Sequence, residues 1–264
     1  MDVVLKTSLK KRFPFRLATT SFIYPGTWAD NVRRLALLVD EIELLFFESS
    51  PRSLPTRRDI GTLAQLGRDL EVGYNVHLPT DISLGDSSTC RRHEATERLI
   101  RLIDRCAPLT PSSFTLHLPI DGQPIGGAGL NLWQKRCGRG LQRILRGGLS
   151  SRLLAVETLT SPDFSSTLPL VADGDLSICL DMGHLLLRGQ DPVKFYRKLR
   201  ERIPIIHLHG VKNGRDHLGL ESLNRARLDA IMAALDSFTG TVSLEVFSVD
   251  HLMTSLECMG LAQP

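Results

Sequence analysis

Six stretches of the chain end alike, with an aliphatic residue followed by a histidine or a carboxylate: Asn75-Val76-His77, Thr115-Leu116-His117, Ala155-Val156-Glu157, Cys179-Leu180-Asp181, Ile205-Ile206-His207 and Ser243-Leu244-Glu245. Strand side chains alternate between faces, so the outer two residues of each triplet share one face and the aliphatic takes the other. Each segment therefore turns an apolar group one way and a metal-binding type the other, at its C-terminal end. Surface decoration does not keep phase across six segments. The pattern predicts one polar site at the mouth of a parallel barrel.

At 264 residues the chain matches the usual size of a single (β/α)₈ barrel. A hydrophobic content of 42% suffices for a large core, and a net charge of +3 does not by itself suggest a nucleic-acid or membrane surface. The five cysteines, Cys90, Cys106, Cys137, Cys179 and Cys258, are odd in number and contain no Cys-x-x-Cys pair, as expected of reduced, mostly buried thiols in a cytoplasmic protein. No apolar run approaches membrane-spanning length. Residues 1–12, with Lys6, Lys10, Lys11 and Arg12, read as a flexible, solvated basic arm, and 13–264 as the catalytic barrel.

Eight strands are predicted at Phe15–Thr20, Ile42–Phe47, Gly73–Leu78, Phe114–Leu118, Leu153–Glu157, Ile178–Asp181, Ile205–Leu208 and Val242–Val246. Segments with helical apolar spacing lie between them. Asp30 or Asn31 is placed to cap the first helix, Thr56 and Asp59 resemble a capping box, and Asp191-Pro192 is a cap followed by proline in the first turn. Strict alternation favours a parallel sheet closed into an α/β TIM barrel. Two connections stand out. Pro119–Asn131 carries four glycines and reads either as a lid or substrate loop or as a plain connection. Gly210–Gly219 is the densest polar loop, with Lys212, Arg215, Asp216 and His217.

Six of the eight histidines belong to the catalytic-end pattern: His77, His117, His184, His207, His209 and His217. His93 and His251 read as surface residues. Imidazole plus carboxylate is the ligand set of zinc or manganese. A lone histidine is more often structural, but histidines converging with Glu157, Asp181 and Glu245 at one mouth imply a metal site, because the carboxylates would otherwise repel one another. Glu48, if its strand keeps the common phase, points into the mouth for a substrate or supporting role, with a buried ion pair as the plain alternative. His209 has three open readings: ligand, phosphate contact, or donor to a ligand. Thr19, Thr20 and Ser21 offer hydrogen bonds to phosphate oxygens or ordinary strand-end bonds. Tyr24, Trp28 and Trp133 suit a planar ligand, although solitary aromatics are more often core.

His77, His117, Glu157, Asp181-x-x-His184, His207 and Glu245, each at the end of its strand, resemble the xylose-isomerase-like barrels, which include abasic-site nucleases of the endonuclease-IV type and sugar epimerases. In the trinuclear nucleases of that group the position of Glu157 bridges two metals. His77 and His117 complete the first, Asp181, His207 and Glu245 serve the second, and His184 with His217 belongs to a third. The nucleases carry an Asp where this chain has Arg215, which puts the third metal in question. A narrower set, Phe13-Pro14-Phe15-Arg16-Leu17-Ala18-Thr19-Thr20-Ser21-Phe22, Phe46-Phe47-Glu48, Val76-His77-Leu78-Pro79 and His207-Leu208-His209-Gly210, resembles the cobamide-remodelling phosphodiesterases.

That resemblance implies hydrolysis of the nucleotide-loop phosphoester of a cobamide, with two or three divalent metals, Glu157 and Glu245 as catalytic groups, and Thr19, Thr20, Glu48, His209, Lys212 and Arg215 as substrate contacts. The alternative is a sugar or sugar-phosphate isomerase with Glu157 and Glu245 moving a proton at carbon. Modest charge and few aromatics argue against an abasic-site nuclease. The expected partner is a small molecule, with no membrane and no nucleic acid.

Overall fold

The computed structural model describes residues 8–120 and 126–261. Eight strands close into a parallel barrel: β1 (Arg16–Thr20), β2 (Glu41–Leu45), β3 (Gly73–His77), β4 (Phe114–Leu116), β5 (Leu154–Glu157), β6 (Ser177–Asp181), β7 (Ile205–Leu208) and, after a small hairpin of β8 (Gly210–Lys212) and β9 (Arg215–Leu218), the closing strand β10 (Thr241–Leu244). Each is paired only with its neighbours in chain order around the ring, β1 returning to β10. The α/β TIM barrel expected from the strand–helix alternation is therefore the fold. Outward aliphatics such as Leu17, Ile42, Val76, Leu116, Val156, Leu180, Ile206 and Leu244 are buried beneath the helices.

Local chemistry sets the helix starts. Thr56 and Asp59 form the capping box at Arg57–Asp69, and Asp191 caps Pro192–Leu199, as the sequence implied. The first helix begins earlier than expected: Thr27 caps Trp28–Leu35, with Asp30 supplying the reciprocal bond, while Asn31 is buried against the Tyr24 backbone. Pro119–Asn131 is not wholly a loop, because a helix runs over Gly127–Leu145; residues 121–125 of the expected lid lie outside the described residues. Gly210–Gly219 is ordered as the β8–β9 hairpin.

Of the expected basic arm, residues 1–7 also lie outside the described residues. Leu9 is buried, and Lys10 Nζ donates to the carbonyls of Ala36 and Leu70, at 3.1 and 2.8 Å. Those carbonyls end two helices, where a cation is favoured by the helix dipoles. Residues 9–10 thus anchor the underside of the barrel. Among the described residues no helix is long and apolar enough to cross a membrane. No disulfide joins any of the five cysteines, three of which are buried.

Candidate metal centre

The strand register carries the sequence triplets into one ring. Leu45 lies beside His77, His77 beside Thr115, Glu157 beside Cys179, Asp181 beside His207, and His207 beside Ser243. Inward side chains at the C-terminal ends meet as a consequence. His77 Nε2 and His117 Nε2 approach the same oxygen, Glu157 Oε2, at 3.0 and 2.8 Å. Near the same oxygen, His207 Nδ1 lies 3.8 Å from Glu157 Oε2, 3.9 Å from Asp181 Oδ2 and 3.2 Å from Glu245 Oε2.

Two groups of potential ligands made of the sequence candidates share Glu157: His77, His117 and Glu157, and Glu157, Asp181, His207 and Glu245; two more overlap them, Glu157 with Cys179 and His207, and Glu43 with His77, His207 and Glu245. A third group of sequence candidates comprises His184, His209 and His217. Every metal-binding candidate of the sequence falls into one of these groups. His93 is exposed and His251 half-buried, and neither belongs to a group. Asp216, half-buried in β9, is in none of them either.

Charge is finely matched here. Burial opposes ionisation of Glu157, but the His117, His184 and His77 rings outweigh it and hold the carboxyl well below the usual range. Burial likewise opposes protonation of His207, yet Cys179, Glu43 and Glu245 raise it well above an ordinary imidazole. His184 is pushed up to about 10, Asp181 and Glu157 overcoming the opposing effect of burial.

The residues fit divalent cations. His207 Nδ1 and Nε2 and Glu245 Oε2 are buried without a hydrogen-bond partner although surrounded by polar atoms. Orphaned buried groups of this kind are costly unless something else satisfies them. A cation between the rings and carboxylates does so with the donor types that zinc and manganese prefer.

The remaining expected contacts divide. The β2 strand ends at Leu45, so Glu48 does not point into the mouth: it is exposed and accepts the Ser53 hydroxyl at 2.8 Å. The inward carboxylate of β2 is Glu43, fully buried, accepting the Ser243 hydroxyl and lying 3.2 Å from His207 Nε2. The signal for it was present in Glu41-Ile42-Glu43, where odd positions share the phase of the ligands. Thr19 and Thr20 donate to the carbonyls of Leu244 and Val246, tying β1 to the end of β10, and Ser21 Oγ accepts the Leu45 N–H, tying β1 to β2. Lys212 and Arg215 are exposed at the hairpin tip. Trp28 packs edge-on against Phe46, Trp133 donates to the Pro119 carbonyl, and Tyr24 lies under Arg34. The aromatics at the mouth are instead Phe22, Phe47 and Phe247, with ring centroids 5.1 Å apart for Phe22–Phe47 and 5.7 Å for Phe47–Phe247.

A closed parallel barrel with paired imidazole and carboxylate groups at its C-terminal mouth defines a class of metal-site TIM barrels. The model of the xylose isomerase-like TIM barrel family matches residues 33–259, and the chain belongs to that family. A comparison with curated proteins gives no match. Similar solved structures include a D-tagatose 3-epimerase-like protein, with TM-score 0.75, 19% identity, and 94% of this chain and 97% of that one covered. D-psicose 3-epimerase from Clostridium cellulolyticum gives TM-score 0.74 at 14% identity, covering 94% of this chain and 98% of the other. Endonuclease IV from Thermus thermophilus gives 0.64 at 19%, covering 86% and 91%. At such identities the likeness is one of fold.

Proposed function

We propose that the protein is a metal-dependent phosphodiesterase whose substrate is a cobamide, cleaved at the phosphoester of its nucleotide loop. The observation that carries the hydrolase reading is the pair of ligand groups sharing Glu157. His77 and His117 would hold one divalent cation, zinc or manganese, and Asp181, His207 and Glu245 a second, with Glu157 serving both. Bound divalent cations supply Lewis-acid polarisation of a phosphoryl oxygen and acidify water.

The chain's own groups do the rest. Glu245, at 4% exposure the least buried of the three carboxylates Glu157, Asp181 and Glu245, would take a proton from an entering water. Lys212 and Arg215, free at the hairpin tip, offer positive charge to phosphate oxygens. Phe22 and Phe47, 42% and 43% exposed, form an apolar rim with Phe247, whose ring is 5.1 Å from that of His217. Such a rim suits a substrate with a large apolar body beside its phosphate, which supports the cobamide over a small sugar.

The second reading is a sugar or sugar-phosphate epimerase. The solved epimerases of like fold favour it, and the Glu157, Asp181, His207 and Glu245 group by itself suffices for one cation with Glu157 and Glu245 exchanging a proton at carbon. A repair nuclease is the third, through the endonuclease IV likeness.

The test is incubation of zinc- or manganese-loaded protein with a complete cobamide, a ketose, a ketose phosphate and an abasic duplex. The proposal expects release of the lower-ligand nucleoside and a phosphorylated corrinoid. Intact cobamide beside rapid ketose epimerisation hands the case to the second reading, and nicking of the duplex to the third.

A further inference from the structure

The third group, His184, His209 and His217, looks on composition like an all-imidazole metal site, but the hydrogen bonds of its rings sort them into two kinds. His77, His184 and His217 each set Nδ1 against a backbone carbonyl: Leu78 at 2.9 Å, Thr158 at 3.2 Å and Glu245 at 3.1 Å. A ring that donates its Nδ1 proton keeps the Nε2 lone pair for a ligand.

His209 is built the other way. It is completely buried, and its Nδ1 accepts the backbone N–H of His217 at 3.0 Å. A nitrogen that accepts a hydrogen bond carries no proton, so in the neutral ring the proton sits on Nε2. That atom lies 3.2 Å from Asp181 Oδ1 and 3.3 Å from Oδ2. The Gly210 carbonyl, 3.3 Å from Nδ1, is the longer of the two contacts at that nitrogen and has nothing to accept in this tautomer.

The surroundings hold the ring in place. It stacks on His217 at a centroid distance of 4.3 Å, and a Cβ at Gly183 would fall 2.0 to 2.4 Å from its atoms, so the glycine before His184 makes the seat for His209. His217 takes the left-handed backbone region, φ 51°, an uncommon choice outside glycine and one that persists only where the surroundings enforce it.

We propose that His209 is a positioning residue, not a ligand: it donates Nε2–H to Asp181 and locks the β8–β9 hairpin to the metal centre. Asp181 also accepts the His184 N–H at 2.6 Å, so two donors fix its carboxylate and leave its remaining lone pairs for a cation. The third group is thereby reduced to His184 and His217. The inference rests on Asp181 being a metal ligand, as proposed above.

Zinc titration of the full chain tests it, with stoichiometry from elemental analysis and affinity from competition with a chelator. His209→Gln puts an amide N–H near the Nε2 position, whereas His209→Ala puts nothing there. The alanine variant is expected to bind as many zinc ions as the unaltered chain at saturation, one of them roughly 10- to 100-fold more weakly. The glutamine variant should recover most of that loss. One zinc fewer at saturation in both variants would make His209 a ligand and overturn the proposal. No zinc bound by the unaltered chain would remove the metal-centre reading itself, and this inference with it. Should the alanine variant not fold, ¹⁵N-histidine spectra of the unaltered zinc-loaded chain decide, with His209→Gln assigning the signal. A proton on Nε2 of His209 supports the proposal, and a zinc-shifted Nε2 refutes it.

Discussion

The floor and the mouth of this barrel both bury carboxylates, and they treat them in opposite ways. On the floor, Glu41 accepts from Arg16 Nε at 2.5 Å, Ser112 Oγ at 2.8 Å, Thr241 Oγ1 at 3.0 Å and Asn75 Nδ2 at 3.3 Å. Its charge is answered by protein donors alone. At the mouth, Glu157 is answered by imidazoles alone, and Glu245 Oε2 faces His207, neither of whose ring nitrogens has a hydrogen-bond partner. A satisfied buried charge builds structure, while an unsatisfied cluster of matched ligand types awaits something from outside.

The comparison breaks most visibly at Glu157. Glu157→Gln keeps the shape and removes the shared charge, so turnover of the true substrate is expected to fall roughly a thousandfold or more while circular dichroism stays native. Retained turnover would dissolve the distinction between mouth and floor.

Chelation is the next largest effect. Cations held by the fold and not by the unfolded chain stabilise it by about 4 kcal/mol at a thousandfold excess over Kd. Exhaustive chelation should lower Tm and abolish activity, and elemental analysis should confirm the metal is gone. The effect should depend on pH in a definite direction. Protonated His184, raised from 6.5 to about 10, stabilises the cation-free fold fully below pH 6.5, and that contribution is lost as pH rises through 10. A cation must displace that proton, so the gain in Tm on adding zinc should grow from pH 6.5 upward. A gain that shrinks with rising pH would contradict the charge matching described above.

At the floor the expectation reverses. Glu41→Ala strands the Asn75, Ser112 and Thr241 donors and should cost about 2 kcal/mol in denaturant unfolding. Metal stoichiometry should not change. Loss of a metal in this variant would mean that floor and mouth act as one network. Smallest of all, His93→Ala lies on an exposed helical face and should alter neither Tm nor metal content, within about 0.5 kcal/mol.

Much of this was legible in the chain. Alternation has a period of two and needs no knowledge of neighbours, so the inward phase of His77, Glu157, Asp181 and His207 could be read directly. The β2 carboxylate was misplaced because Glu48 follows two phenylalanines and mimics the triplet, although the strand stops at Leu45. Strand ends depend on pairing partners, and pairing is not local. The polar run Gly210–Gly219 did carry a sign of its hairpin in Asn213-Gly214, the pair that takes positive φ at both turn residues, but its flanks lack the apolar alternation that marks strands.

What the sequence determined alone was the barrel, the end of it where histidines and carboxylates gather, and the residue types found there, all consequences of periodicity and composition. Tertiary structure decided how those residues divide. Only the register around the closed sheet brings His77, His117 and His207 from the ends of three different strands to within 3.8 Å of one oxygen of Glu157. Only the backbone of a hairpin eight residues away sets which nitrogen of His209 bears the proton. A residue's type travels with the chain, but its partners exist only after distant backbone groups have been brought within hydrogen-bond reach, and partners settle whether an imidazole gives a proton or a lone pair.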